Sequence, residues 1–226
     1  MIHIQDYDDY YLNYNNSIVI NEFPEESDLC KASKAISLEN RYQFFKQFSN
    51  EELNLLNSLT IFTPLRQEIP IANQNLENLN DLLQKATNNS LANQLIHKSI
   101  TKLIKDMSEC FQKPIQKISL AIHSRRLVDA PFGGWHRDAG TEQDIRAIVT
   151  LVGDSTKLAL STPEIYKELD AAVNHEPYKQ IIGNNFESVP KGYGVIFKKG
   201  KMGAVHTTPM EKGQRLIAIA SLAFNR

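Results

Sequence analysis

The chain has 226 residues, enough for one sizeable hydrophobic core or a core with a helical attachment. Lys+Arg 25 against Asp+Glu 26 leaves a formal charge of −1, so there is no bulk electrostatic drive toward nucleic acid and such a partner is disfavoured. No apolar stretch approaches the roughly 20 residues that span a bilayer, the N-terminus shows no secretory signal, and Cys30 and Cys110 form no C-x-x-C. A cytoplasmic protein with reduced thiols and no membrane partner is expected.

Residues 1 to about 38 carry an acidic, tyrosine-rich run (Asp6 to Tyr11) and one strand candidate, Ser17-Ile18-Val19-Ile20. From Ser37 to Pro114 the signal is helical. Ser37 with Asn40 offers N-cap chemistry, and Ser49 with Glu52 forms an S-x-x-E capping box. The clearest helix runs from Leu91 to Phe111, with Leu91, Leu95, Ile96, Ile100, Leu103, Ile104, Met107 and Phe111 on one face. Asn88, Asn89 and Ser90 supply caps before it and Pro114 closes it, which leaves His97 at its boundary.

The period changes to two at Ile115, where Ile118, Leu120 and Ile122 alternate with Ser119, Ala121 and His123. If the second of these faces lines a cavity, His123 is a substrate contact; otherwise it is a hydrogen-bonded histidine at the rim. Arg125 and Arg126 follow, either of which could meet an acidic group on a substrate, with surface charge as the plainer role. Pro131-Phe132-Gly133-Gly134 makes a sharp turn. Beyond it, Ile145, Ala147, Val149 and Leu151 alternate with Arg146, Ile148 and Thr150. The stretch 153–190 interrupts the strands, holds a helix opening at Thr162-Pro163 and the surface residue His175, and suits a lid or substrate wall. Val195-Ile196-Phe197 and a last strand with Arg215, Ile217, Ile219 and Ser221 on one face complete the pattern. Lys198, Lys199 and Lys201 read as a solvated hairpin tip.

Within this frame, Gly134-Trp135-His136-Arg137-Asp138 and His206 carry the chemistry. Two imidazoles and one carboxylate form a facial triad, which leaves three metal positions open and suits non-haem Fe(II). An H-x-D pair converges on one ion because alternate residues of a strand point the same way. His206 follows Asp138 by 68 positions, so a sheet must bring it in from a distant strand. Arg215 lies nine residues further, across a turn containing Pro209 and Gly213, where a planar guanidinium could hold a carboxylate through two bonds.

With these residues in order, the sequence resembles the Fe(II)/2-oxoglutarate-dependent oxygenases. The resemblance runs from about Ile115 to Phe224 and includes Gly192-Tyr193-Gly194-Val195-Ile196-Phe197 and the Pro209 to Ile219 wording. It implies Fe(II) on His136, Asp138 and His206, with Arg215 clamping the distal carboxylate of 2-oxoglutarate. Thr150 and Ser221 are candidates to add a hydroxyl to that carboxylate; His123, Trp135 and Arg125 are candidate substrate contacts. Arg137 should point away from the ligands. Because Asp138 fills the place that related halogenases leave to chloride, hydroxylation or demethylation of a small-molecule or protein substrate is implied. The implied architecture is α+β: one domain, with a mainly helical part, 1–114, packed on a double-stranded β-helix (jelly-roll, cupin-like), 115–226, carrying a lid-like insert at 153–190. Two other readings stay open: a catalytically silent β-helix serving as a binding or scaffold protein, and a Zn(II) or Fe(II) cupin-like enzyme that does not use 2-oxoglutarate, in which Arg215 has no role. The His-Arg-Asp of 136–138 lacks the companion motifs of a protein kinase.

Overall fold

A computed structural model describes residues 26–61, 65–69, 76–87, 89–125, 134–208 and 213–224. The expected strand at 17–20, the N-terminal tyrosines, Asn88, Arg126 and the corners at 131–133 and 209–212 lie outside the described residues.

Helices α1 (Asp28–Lys34), α2 (Asn50–Asn57), α3 (Glu77–Ala86) and α4 (Ser90–Phe111) precede most of the strands. Their starts follow from local chemistry. Ser27 caps α1 by accepting from Cys30 N, Ser49 and Glu52 close the reciprocal capping box of α2, and Asn89 accepts from Ala92 N at the start of α4. Helix α4 is the main support. Its Ile96, Ile100, Leu103, Ile104 and Met107 are fully buried, at about 2 kcal/mol of transfer free energy each. Its apolar stripe is rotated slightly from the expected one, since Ala92 and Asn93 turn inward while Leu91 is 64% exposed. Among the described residues no helix is long and apolar enough to cross a membrane.

The strands are β1 (Tyr42–Lys46), β2 (Leu65–Ile69), β3 (Ile118–Arg125), β4 (Ile145–Val152), β5 (Lys157–Ala159), β6 (Phe186–Ser188), β7 (Tyr193–Lys198), β8 (His206–Thr207) and β9 (Arg215–Leu222). Six of them form one antiparallel sheet, in the order β1-β7-β4-β9-β3-β2. The other three form a second antiparallel sheet, β6-β5-β8. Ile118, Leu120, Ile122, Ala147, Val149, Leu216, Ala218 and Ala220 turn one face of the large sheet onto α4. Its other face offers Tyr42, Ile148, Val195 and Phe197, which pack with Leu158 of β5 and with Val189 and Ala204 from the segments flanking the small sheet. The two sheets therefore face each other.

Two sequence expectations change. The mainly helical 1–114 part also supplies two strands: β1 and β2 are the two edges of the large sheet. Tyr42-Gln43-Phe44-Phe45-Lys46 is aromatic-rich and alternates, with Tyr42 and Phe44 toward the small sheet and Phe45 toward the helices, so strand pairing wins over helix. Ser37 accordingly caps no helix; its Oγ accepts from Glu39 N and Asn40 N in a turn before β1. The 153–190 stretch is likewise no simple insert. It supplies β5 and β6, two of the small sheet's three strands, with α5 (Pro163–Ala171) and α6 (Tyr178–Ile182) between them. Strands of three residues carry too little alternation to be seen in sequence. Helix α5 does open as expected, with Thr162 Oγ1 accepting from Ile165 N and Pro163 in its first turn.

Candidate metal centre

His136 and His206 form an isolated antiparallel pair, each backbone N–H donating to the other's carbonyl at 3.0 Å. His206 also sits opposite Leu158 of β5, so the His136 segment extends the small sheet by one more chain. Alternation then sorts the neighbours. His136, Asp138 and His206 face the large sheet, whereas Trp135, Val205 and Ala159 join Tyr166, Leu169 and Tyr178 on the outer face under α5 and α6. The ligand atoms of His136, Asp138 and His206 all lie within 4.8 Å of one another. Among the described residues they are the one such cluster.

The tautomers are set by the backbone. Nδ1 of His136 bonds to Gly134 O at 2.9 Å, and Nδ1 of His206 bonds to Ala204 O at 3.3 Å. A carbonyl can only accept, so Nδ1 of each ring is the donor in that bond and Nε2 is left turned toward Asp138. Burial pushes the His206 imidazole down to about 4, so it is neutral at physiological pH and needs no deprotonation to ligate. Phe197 packs against it with ring centroids 4.9 Å apart.

Asp138 divides its two oxygens. Oδ1 accepts from Arg146 Nη1 at 2.6 Å. Oδ2 is buried and has no hydrogen-bond partner among the described residues, with His206 Nε2 3.7 Å away. Such an orphan costs about 1–3 kcal/mol or more for a charged group, and a divalent ion bound by the three side chains would satisfy it. Cis ligands with bonds of about 2.1 Å stand roughly 3 Å apart, so closure needs side-chain movements of about 1 Å. The donor set, two imidazole nitrogens and one carboxylate oxygen, fits Fe(II) or a similar divalent ion. Gly200 N donates to Asp138 O at 3.0 Å, and at φ 72 a Cβ on Gly200 would stand 2.8 Å from Gly140 O. The turn that fixes Asp138 therefore requires glycine.

Arg215 is buried at the start of β9. Its Nε donates to Asp154 O at 2.8 Å, Nη2 to Thr156 Oγ1 at 2.9 Å and Nη1 to Thr208 Oγ1 at 3.5 Å. Since Leu158 pairs with His206 and Lys157 with Thr207, the register carries Thr156 opposite Thr208. Thr208 shares a face with His206 two residues, about 7 Å, away.

The face of the large sheet that carries Arg215 is ordered in cross-strand rows. His123 of β3 and Thr150 of β4 both pair with Ile217, one row from Arg215 and on its face of the sheet. The backbone of Arg125 lies opposite Arg215; its side chain is outside the described residues. Ser221 is a correction. It lies six residues, about 20 Å, along β9 from Arg215 and accepts from Arg146 Nε at 3.0 Å, so it buttresses Arg146 and shares no carboxylate with Arg215. Trp135 is another: the alternation that turns His136 inward turns Trp135 outward, onto Phe186 at 5.8 Å, so it walls no pocket.

Arg137 points outward, as expected. Its Nη2 donates to Asp170 Oδ1 at 2.5 Å, while Arg41 donates to Asp170 Oδ2 at 2.7 Å, and Tyr166 lies under both guanidiniums. This buried cluster ties the ligand strand to α5. The sequence reading missed both it and Arg146, although Arg146 had a signal: it is the one charged residue in the apolar strand Ile145 to Val152, and such a residue is rarely buried unless paired.

No family model matches the chain and no curated protein matches it. Among solved structures it is similar to a Pseudomonas putida prolyl-4-hydroxylase, at 11% identity and a TM-score of 0.42 over 82% of this chain and 94% of that one. It is also similar to HygX from Streptomyces hygroscopicus with nickel and 2-oxoglutarate bound, at 9% identity and a TM-score of 0.39 over 82% and 83%. A third is the viral collagen prolyl hydroxylase of Paramecium Bursaria Chlorella virus-1 in its 2OG complex, at 12% identity and a TM-score of 0.36 over 81% and 97%. Two of the three hold 2-oxoglutarate.

Proposed function

We propose that this protein is a non-haem Fe(II)- and 2-oxoglutarate-dependent oxygenase that hydroxylates or oxidatively demethylates a small-molecule or protein substrate, and that its facing sheets are a double-stranded β-helix. One observation carries the reading: His136, Asp138 and His206 bring three ligand atoms within 4.8 Å of one another, and Asp138 keeps a buried oxygen with no hydrogen-bond partner among the described residues.

In this reading His136 Nε2, His206 Nε2 and Asp138 Oδ2 hold the metal on one face and leave the opposite face open. Arg215 takes the distal carboxylate of 2-oxoglutarate, with Thr156 and Thr208 already orienting its fork. Bound together, metal and oxo acid would supply the oxidation of an unactivated C–H bond, coupled to loss of CO2 from the oxo acid. Ile148, Ile217 and Phe197 keep the floor apolar and limit water at the reacting centre. The substrate approaches from the side of His136, whose side chain is 36% exposed against 6% for His206. His123 and Thr150, on a neighbouring row, are placed to contact the oxo acid or the substrate.

The test is anaerobic thermal denaturation. Fe(II) should raise Tm, and 2-oxoglutarate should raise it further only with metal present; a ligand at a hundredfold its Kd stabilises by about 2.7 kcal/mol. No shift with either ligand, together with no succinate formed aerobically across a broad substrate panel, would sink the reading.

A further inference from the structure

We propose that Arg146 is a positioning residue that restricts Asp138 to metal ligation through a single oxygen. The inference rests on the metal-centre reading and concerns how the carboxylate is presented there. A carboxylate offers two oxygens, and one left unrestrained can chelate a divalent ion through both. Here Arg146 Nη1 occupies Oδ1 at 2.6 Å, while Oδ2, buried and unpartnered among the described residues, faces His206 Nε2.

The guanidinium is itself held. Arg146 lies on β4 between Phe197 of β7 and Ser221 of β9, and its Nε donates to Ser221 Oγ at 3.0 Å. With Nε and Nη1 both engaged, the fork is locked in orientation and holds Oδ1, which also lies 4.0 Å from His136 Nε2, so that a second coordination position is kept from Asp138. The charge matters as well. Arg146 offsets the negative charge of Asp138, so the site with a divalent ion keeps a surplus of positive charge, which favours an anionic chelating co-ligand at the open positions.

The experiment is calorimetric titration of the protein with Mn(II), alongside the visible spectrum of the Co(II)-loaded protein. Losing an outer contact to a metal ligand weakens binding by roughly tenfold to a hundredfold, and this is the loss expected for Arg146→Gln. Its Co(II) bands should also shift as the freed Oδ1 enters the coordination sphere, a change that a merely structural arginine would not produce. Arg146→Lys should recover part of the affinity, and Ser221→Ala should weaken Mn(II) by roughly twofold to tenfold, the worth of one hydrogen bond. A folded Arg146→Gln protein with unchanged affinity and Co(II) spectrum overturns the proposal. If that variant does not fold, unchanged affinity in both Arg146→Lys and Ser221→Ala overturns it equally. A parent protein that binds no Mn(II), and behaves like Asp138→Asn, marks instead the failure of the metal-centre reading itself.

Discussion

His136 and His206, 70 residues apart in sequence, exchange both backbone hydrogen bonds as a single antiparallel pair. Residues so paired have Cα atoms about 5.5 Å apart, and their rings lie with centroids at 4.5 Å. The backbone, not side-chain strain, brings the two nitrogens into ligand range.

Removing either imidazole should therefore abolish metal binding without unfolding the chain, but at unequal cost. His206 is buried against Phe197, so His206→Ala leaves a cavity and should cost about 2–3 kcal/mol. His136 is 36% exposed, and His136→Ala should cost less than about 1 kcal/mol. Urea denaturation and Mn(II) titration of both variants check this. Retained Mn(II) affinity in either would exclude that histidine as a ligand.

The metal-free protein should lose stability in mild acid. Burial holds the His206 imidazole at about 4, below the ordinary 6.5, so the unfolded chain takes up the proton first. Its contribution is complete above about pH 6.5 and falls away as pH drops toward about 4, by about 3 kcal/mol in all. His206→Asn should flatten that segment of the stability–pH curve. An unchanged slope between pH 6.5 and 4 in the variant would show that another group titrates there.

The ligand residues, the α4 support and the four long core strands were legible because each rests on a pattern that survives in one dimension: a spacing, a stripe, an alternation. What was hidden depends on pairing. The three-residue strands β5 and β6 exist because Lys157 meets both Thr207 and Ser188, and no local sequence announces it. The face that Ser221 occupies is readable from the alternation, but its partner, Arg146, is set by the pairing of β4 with β9. Trp135 shows the reverse: the alternation that turns His136 and Asp138 to one face already requires Trp135 to point away.

Gly153 is needed to deliver Asp154 to Arg215. Its φ is 82, and a Cβ there would stand 1.9 Å from Gln214 O, a backbone atom that cannot yield. Gly153→Ala should destabilise the fold by about 2 kcal/mol or more, and it should weaken 2-oxoglutarate more than Mn(II), because Asp154 O holds Arg215 Nε and none of His136, Asp138 and His206. Paired titrations with each ligand report this, and equal losses for both would mean that the turn at Gly153 supports the whole site alike.

Asp170 makes the last prediction. Its carboxylate is 26% exposed, yet it neutralises two guanidiniums whose side chains are only 5% and 7% exposed, Arg41 and Arg137. Cutting it to alanine leaves two buried positive charges face to face, and breaking a buried pair in this way costs about 3–5 kcal/mol. Asp170→Asn keeps one acceptor oxygen but no charge, and should fall between alanine and the parent. Because Arg137 sits between His136 and Asp138 in the chain, the loss should reach the metal ligands through the backbone, so Mn(II) affinity should drop in proportion to stability across the two variants. An Asp170→Ala protein with parental stability in urea would mean that Tyr166, stacked under both guanidiniums, rather than the carboxylate, holds this cluster together.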